Sequence, residues 1–153
     1  MLNNLIINLC SNNREWQEYH RIRKEQIFDP LDIEYNPNHS SITANNHYHF
    51  VLYKAKEIVA TAHIEFLNER EAALRSLAVD KPYQKRGFGK YMMQFLEDWL
   101  KNRNIKILKM HARPSAEDFY CKLGYINMEF NDTSIQKNYI DLGKVLFMYY
   151  WNK

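Results

Sequence analysis

A short basic loop with two glycines is the part of the sequence whose residue types point most clearly to chemistry. Gly87 and Gly89 lie two positions apart around the segment 84–90, and the chain has only four glycines in 153 residues. An apolar run precedes the loop and an amphipathic stretch follows it. Glycine lets a ligand approach the backbone closely, and the N-terminus of a helix attracts anions. The loop therefore predicts a phosphate or pyrophosphate site.

Two common phosphate motifs do not fit this loop. A P-loop requires Ser or Thr after its Gly-Lys pair, whereas Tyr91 follows Gly89 and Lys90 here, and no glycine lies five residues before Gly89. A dinucleotide fingerprint requires a third glycine, at the position that Met92 occupies. The alternative to a pyrophosphate site is a solvated basic turn whose glycines serve only to begin a helix.

Composition limits the class of protein. Hydrophobic residues make up 46% and aromatic residues 14% of the chain, which suits one folded domain over residues 1–153 and argues against disorder. The net charge of +3 is compatible with an anionic ligand. Positive charges are not clustered beyond 84–90, so we expect no nucleic-acid partner.

Cysteines, histidines and apolar runs bear on location and on metal binding. Cys10 and Cys121 are too few for a disulfide framework or a zinc site, which favours reduced thiols and a cytoplasmic protein. The six histidines show no metal-ligand spacing, so we expect no metal. The first ten residues lack the basic region of a signal peptide, and no run approaches the roughly 18 apolar residues of a membrane span. We therefore expect no membrane association.

Hydrophobic periodicity and turn residues predict the element order β-α-β-β-β-α-β-α-β-β. Strands are predicted at 5–9, 49–53, 58–66, 73–79, 105–111, 125–130 and 138–150. Helices are predicted at 14–28, ended by Pro30, at 89–103, and between Pro114 and Gly124. This order indicates an α/β fold with a single mixed sheet of about six to seven strands flanked by helices. Period-two alternation within 58–66 places His63 and Glu65 on the polar side of their strand.

The motifs on these elements resemble those of the GNAT N-acetyltransferase superfamily. Residues 84–89 (QKRGFG), after the strand residues 77–79 (LAV), are similar to its motif A, a strand followed by Q/R-x-x-G-x-G/A and a helix. Residues 111–125 (HARPSAEDFYCKLGY) are similar to its motif B, and 139–146 (YIDLGKVL) to its final strand. Together these segments resemble the ElaA-like branch of the superfamily.

That resemblance implies a site for acetyl-CoA. The backbone amides from Arg86 to Lys90 would bind the pyrophosphate, and the end of the 73–79 strand would pair with the pantetheine arm. This strand and the 105–111 strand would form a splayed central pair that admits the thioester. A main-chain N–H near Ala78 or Val79 would polarise the thioester carbonyl. The implied cofactor-binding residues are Leu77, Ala78, Val79, Gln84, Lys85, Arg86, Gly87, Phe88, Gly89 and Lys90.

The resemblance also implies a catalytic acid. It places Tyr120 on the motif B helix, where the phenol would give its proton to the departing CoA thiolate. The alternative is an ordinary core tyrosine. The neighbouring Cys121 points about 100° away around a helix, so we expect a structural thiol there and direct transfer without an acetyl-cysteine intermediate.

The base that takes a proton from the amine stays open. The candidate side chains are polar residues on or beside the predicted strands: Glu65, His63, Glu71 and His111. Ordered water is a further candidate. Ala73 stands where some relatives have a catalytic glutamate, so that residue type is excluded at this position. Arg75 either pairs with a carboxylate or reaches the acceptor site.

Two interpretations of the function follow. The leading one is an acetyl-CoA-dependent N-acetyltransferase that acetylates a primary amine by direct transfer through a tetrahedral intermediate. The alternative is a non-catalytic sensor module for CoA or acetyl-CoA, and the presence of Tyr120 favours the enzyme. The acceptor would be a small-molecule or peptide amine, and the acidic residues of 29–35 favour a cationic one. The aromatic run 146–151 (LFMYYW) suits either a homodimer interface or an internal strand.

Overall fold

A computed structural model describes residues 4–132 and 138–146 of the chain. Their elements occur in the predicted order. The strands are β1 (Leu5–Leu9), β2 (His47–Lys54), β3 (Glu57–Phe66), β4 (Glu71–Val79), β5 (Ile107–Ala112), β6 (Ile126–Asn127) and β7 (Ile140–Val145). The α-helices are α1 (Asn13–Arg23), α2 (Phe88–Lys101) and α3 (Glu117–Lys122). The predicted strand 138–150 and the aromatic run 146–151 extend beyond the described residues.

The strands form one mixed sheet in the order β1-β2-β3-β4-β5-β7-β6. Its parallel pair is β4 and β5, in which residues 71–74 lie opposite residues 107–110. Both strands continue past this ladder, β4 to Val79 and β5 to Ala112. The prediction of an α/β fold with a single mixed sheet is confirmed.

The start of α1 is fixed by a side-chain cap. The Asn12 side chain accepts a hydrogen bond from the Glu15 amide at 2.9 Å, which satisfies one of the free N–H groups of the first turn. After α1 the chain continues through a π-helical turn, Lys24–Phe28, and a 3-10 turn, Asp29–Leu31. The helical path therefore passes Pro30 instead of ending there, because proline is tolerated in a first turn, where its missing N–H needs no partner.

Two compact units make up the chain. The first comprises residues 1–64 with 76–95, and the second comprises 65–75 with 96–153. In the first unit a buried cluster joins α1, β2, β3 and β4; its buried members are Tyr19, Ile22, Val51, Ile58 and Ala78. In the second unit β5 and β7 pair antiparallel over six residues each.

β3 is buried on both of its faces. All residues from Ile58 to Ile64 are buried, including Thr61 at 0% and His63 at 4% exposure. His63, on the predicted polar side of the strand, is therefore covered by other parts of the fold. Alternation in sequence identifies two faces of a strand, but it does not say whether the polar one is covered by other parts of the fold.

Gly143 lies in β7 of the second unit, at a position where the sequence offers no reason for glycine. A Cβ atom there would overlap Met128 Sδ and would lie 3.0 Å from Met128 Cβ. Any side chain at position 143 would therefore require Met128 to move.

We expect Gly143→Ala to lower the free energy of unfolding by about 1–3 kcal/mol, because the new methyl group must displace Met128. Urea denaturation followed by circular dichroism measures the effect. A double-mutant cycle with Met128→Ala supplies the control, since the cost of the alanine should shrink once the methionine side chain is truncated. An equal cost in both backgrounds would contradict the steric explanation.

Candidate active site

The first half of the loop that follows β4, residues 80–84, is held by side-chain contacts at Asp80 and at Gln84. Asp80 is buried, accepts a hydrogen bond from the following amide at 3.0 Å and forms an ion pair with Arg21 of α1 at 2.9 Å. The Gln84 side chain donates hydrogen bonds to the Val79 carbonyl and to Gln26 Oε1, both at 2.9 Å. The loop therefore begins its basic segment from a defined position at the end of β4.

Six consecutive backbone amides follow, those of residues 85–90. Within the described part of the chain none of the six donates to a backbone or side-chain acceptor, and the next amide, that of Tyr91, donates to the Gly87 carbonyl at 3.0 Å. The φ angle is +62° at Lys85 and +92° at Gly87. Left-handed backbone of this kind can turn successive N–H groups to the same side, as in anion-binding nests. The second of these angles explains the need for glycine at position 87.

Charge at this loop favours an anion. α2 is 14 residues long and carries no acidic residue in its first turn, so its macrodipole is not opposed there. Lys85, Arg86 and Lys90 are exposed beside the free amides. Amides without acceptors, a helix N-terminus and three cations together can bind a diphosphate group.

Phe88 fixes the start of α2 through its side chain. It is 1% exposed and its ring packs edge-on against Tyr83, with 6.0 Å between ring centroids. The Arg86 guanidinium lies over both rings, 5.6 Å from the centroid of Tyr83 and 5.8 Å from that of Phe88. Phe88 thus offers a ligand only its main chain.

The three β4 residues predicted to bind a cofactor lie at the end of the strand. Ala78 is buried, and Leu77 and Val79 are half-buried.

Tyr120 lies on α3 in the second unit and is 7% exposed. Its ring contacts Phe119 and Tyr125 edge-on, at centroid distances of 5.0 and 5.9 Å. Burial raises the pKa of the phenol, and a smaller effect of Arg113 opposes that rise. No described residue forms a hydrogen bond with its hydroxyl. The group is therefore protonated at neutral pH and has a proton that it can donate.

His63 lies in a group of histidines of the first unit. Its Nε2 is 2.8 Å from His47 Nδ1, and its ring centroid is 4.3 Å from that of His49. His49 donates from Nε2 to the Ser41 carbonyl at 2.8 Å, so its Nδ1 accepts from the Tyr19 hydroxyl. His47 and His49 also line a cavity of about 240 Å³. Sequence spacing reveals none of these contacts, because they join α1, β2, β3 and the segment that precedes β2.

Glu65 belongs to a charged network of the second unit. Arg75 donates from Nε to Glu65 Oε1 and from Nη2 to Asp132 Oδ2, both at 2.8 Å. His111 bridges Asp132 and Asp141, with Nε2 at 3.2 Å and Nδ1 at 2.8 Å from the two carboxylates. Of the two alternatives for Arg75, the structure thus shows pairing with carboxylates. Asp132 and Asp141 were not predicted as site residues, because no motif or periodicity in the sequence singles them out.

The remaining candidate base, Glu71, forms an ion pair with Lys109 at 3.2 Å. Each of the two glutamates considered as the base, Glu65 and Glu71, is thus paired with a cationic side chain. Both cysteines have free thiols, Cys10 half-buried and Cys121 exposed.

The sequence of the chain matches a known family over most of its length. The profile of the Acetyltransferase (GNAT) family matches residues 11–125, which include the loop, α2 and α3. The chain belongs to this family. Among curated members, the [ribosomal protein bS18]-alanine N-acetyltransferase of Escherichia coli (strain K12) is 36% identical over 72 residues, 45% of each chain. The chain spans about half the length of the curated relatives it matches.

Solved structures of family members have the same fold. The ribosomal-protein-S18-alanine N-acetyltransferase from Escherichia coli gives a TM-score of 0.77 at 20% identity, over 97% of this chain and 98% of that one. The PaiA N-acetyltransferase from Thermoplasma acidophilum, solved in complex with coenzyme A, gives 0.73 at 12% identity, over 93% and 99%. The family predicted from motifs A and B is confirmed.

Among the described residues, no group of three or more His, Cys, Asp or Glu side chains is arranged to hold a metal ion. No helix of this part of the chain has both the length and the apolar character of a membrane span.

The environment of His49, beside His47 and His63, predicts that the free energy of unfolding depends on pH. Burial lowers the pKa of His49 to about 4; the hydrogen bond to the Ser41 carbonyl opposes this shift, and Arg23, His47 and His20 add smaller effects in the same direction as burial. An unfolded histidine titrates near 6.5. A histidine whose pKa is lower in the folded state stabilises the fold fully above pH 6.5 and loses that contribution as pH falls toward 4. The loss is about 3 kcal/mol at most.

We expect the unfolding free energy, measured by urea titration between pH 7.5 and 4, to fall less steeply in His49→Gln than in the wild type. His39→Gln, at an exposed histidine, is the matched control and should keep the wild-type slope. Identical slopes for His49→Gln and the wild type would show that His49 is not the titrating group.

Proposed function

We propose that the protein transfers the acetyl group of acetyl-CoA to a primary amine. The observation that carries this proposal is the run of six amides, residues 85–90, that have no acceptor among the described residues and lie in the part of the sequence matched by the GNAT family. A diphosphate is the anion that such a run, with exposed basic side chains and a helix N-terminus, binds well.

The loop would hold the pyrophosphate of acetyl-CoA mainly through its backbone. Gln84 sets the position of the loop, and Lys85, Arg86 and Lys90 add positive charge. The main chain of residues 77–79 would pair with the pantetheine arm. An N–H of Ala78 or Val79 would stabilise the negative charge that develops on the thioester oxygen when the amine attacks.

Tyr120 would act as the general acid. Attack by the amine on the thioester carbonyl gives a tetrahedral intermediate, and its collapse breaks the carbon–sulfur bond. The departing thiolate then takes the Tyr120 proton. Burial keeps this phenol protonated, and its hydroxyl has no competing partner in the described chain. Because both substrates are held together, proximity supplies much of the rate.

We assign no side chain as the base. Glu65 is paired with Arg75, Glu71 with Lys109, and His63 is buried against His47. A proton lost by the amine would therefore pass most readily to water. Glu65 and His63 remain candidates only if the acceptor separates them from these partners.

The acceptor, the branch of the family and the location of the protein are further proposals. The E. coli relative is named for an alanine of a ribosomal protein, which makes a peptide amine one candidate acceptor beside small-molecule amines. Membership of the ElaA-like branch, a cytoplasmic location and a homodimer stay predictions from the sequence.

The test of the function is thiol release from acetyl-CoA with a panel of small and peptide amines, with products identified by mass spectrometry. Gly87→Ala should weaken acetyl-CoA binding about tenfold or more, because alanine at φ +92° is strained and the amides move. Gly143→Ala is the control, since it should lower stability without changing the affinity. Binding of CoA without turnover of any amine would instead indicate a sensor module.

Tyr120→Phe should lower kcat by about 100-fold or more and leave the Kd for acetyl-CoA nearly unchanged, since the change removes only the donated proton. Tyr125→Phe is the matched control. It removes a phenol that donates to Glu97 at 2.7 Å, and it should reduce stability while kcat is maintained. Steady-state kinetics and calorimetry separate the two effects. Equal kcat values for wild type and Tyr120→Phe would exclude Tyr120 as the acid.

A further inference from the structure

Arg23, the last residue of α1, carries a buried positive charge. The residue is 8% exposed, although a guanidinium is charged at any pH at which the protein is folded. Directly after it the helix widens into the π-helical turn Lys24–Phe28. Such turns occur frequently at functional sites.

Aromatic rings surround the guanidinium. Its Cζ atom lies 4.9 Å from the centroid of Tyr19, 5.6 Å from that of Tyr35 and 5.8 Å from that of Phe28. Nη1 donates to the Tyr35 hydroxyl at 3.2 Å, and this hydroxyl in turn contacts His20 Nδ1. Its Nε is buried and has no hydrogen-bond partner among the described residues.

No described carboxylate forms an ion pair with Arg23. Arg21, two residues earlier, is the opposite case, because it pairs with Glu18, Glu25 and Asp80 at 2.8 to 3.0 Å. The two arginines therefore have the same side chain on the same helix and very different environments. One is neutralised on the surface, and the other is buried among rings.

The charge of Arg23 affects the pKa values of several neighbouring groups, and none of these groups is negatively charged at neutral pH. Burial raises the pKa of Cys10 to about 12 and also raises the pKa values of Tyr19 and Tyr35. Burial lowers the pKa values of His20 and His49, and Arg23 adds to that effect. The surroundings of the guanidinium are thus neutral, and its positive charge is not compensated.

A buried charge without a counter-ion is costly, and cation–π contacts offset only part of that cost. Of the five N–H donors of the guanidinium, the described residues use one. The planar fork of these donors matches the two oxygens of a carboxylate or a phosphate, which it can bind with paired hydrogen bonds. An anionic group would therefore complete both the hydrogen bonding and the charge balance at this position.

We infer that Arg23 binds an anionic group, a carboxylate or a phosphate, of the amine that the protein acetylates. This inference rests on the proposed function and gives it a substrate class: an amine that also bears an anion. It adds an anion to the sequence-based expectation of a cationic acceptor, which relied on the acidic residues of 29–35. One of these, Asp29, is already paired with Lys24 at 3.2 Å.

The experiment compares pairs of amines that differ only in the anion: tyrosine with tyramine, lysine with cadaverine, and phosphoethanolamine with ethanolamine. The wild type should acetylate the anionic member with at least a tenfold higher kcat/KM. Arg23→Gln should bring that ratio close to one, and Arg23→Lys, which keeps the charge but not the fork, should give an intermediate ratio. Arg14→Gln, at an exposed arginine of the same helix, is the matched control and should keep the wild-type ratio.

Equal wild-type rates within the pairs, or a preference that both Arg23 variants retain, would overturn the inference. If no amine is acetylated, the proposed function fails, and the site is tested by calorimetry with inorganic phosphate in the presence of saturating CoA. An anion site independent of acetyl transfer is supported if Arg14→Gln retains phosphate binding, Arg23→Lys weakens it and Arg23→Gln loses it. Equal binding by all variants would rule it out. Circular dichroism verifies that each variant is folded.

Discussion

The free backbone amides at the start of α2 are the constraint on which the candidate site depends. A helix cannot satisfy its own first N–H groups, and here the preceding loop adds further amides without acceptors. Several unrelated features keep them in place: the left-handed backbone at Lys85 and Gly87, the Gln84 side chain on the end of β4, and the buried ring of Phe88. These features leave the amides of 85–90 available to a ligand.

Charges in the two units are arranged differently. In the second unit, Arg75 and His111 lie among three carboxylates, so potential bases are held by cationic or hydrogen-bonding partners. In the first unit, cations at the loop and at Arg23 have no described carboxylate partner. Anion binding is therefore proposed for the first unit, and Tyr120, a protonated phenol, is buried in the second.

Sequence patterns predicted the order of elements well where local physics decides it. The cap at Asn12, the amphipathic stripe of α2 and the left-handed Gly124 after α3 each depend on residues within one or two turns. Patterns do not reveal burial that depends on distant parts of the chain, as at His63. They were incomplete at Pro30, where a change of helix type carries the chain past a residue that usually ends an α-helix.

By itself the sequence determined the family, the basic glycine loop and the position of Tyr120 on its helix, because each is encoded by residues close together in the chain. The tertiary structure alone decided the partners of Arg75, the need for glycine at 143 and the different environments of Arg21 and Arg23. Those properties depend on atoms brought together from far apart in sequence. A side chain's charge is a local fact, but whether that charge is neutralised, buried or free to bind a ligand is set by the packing around it.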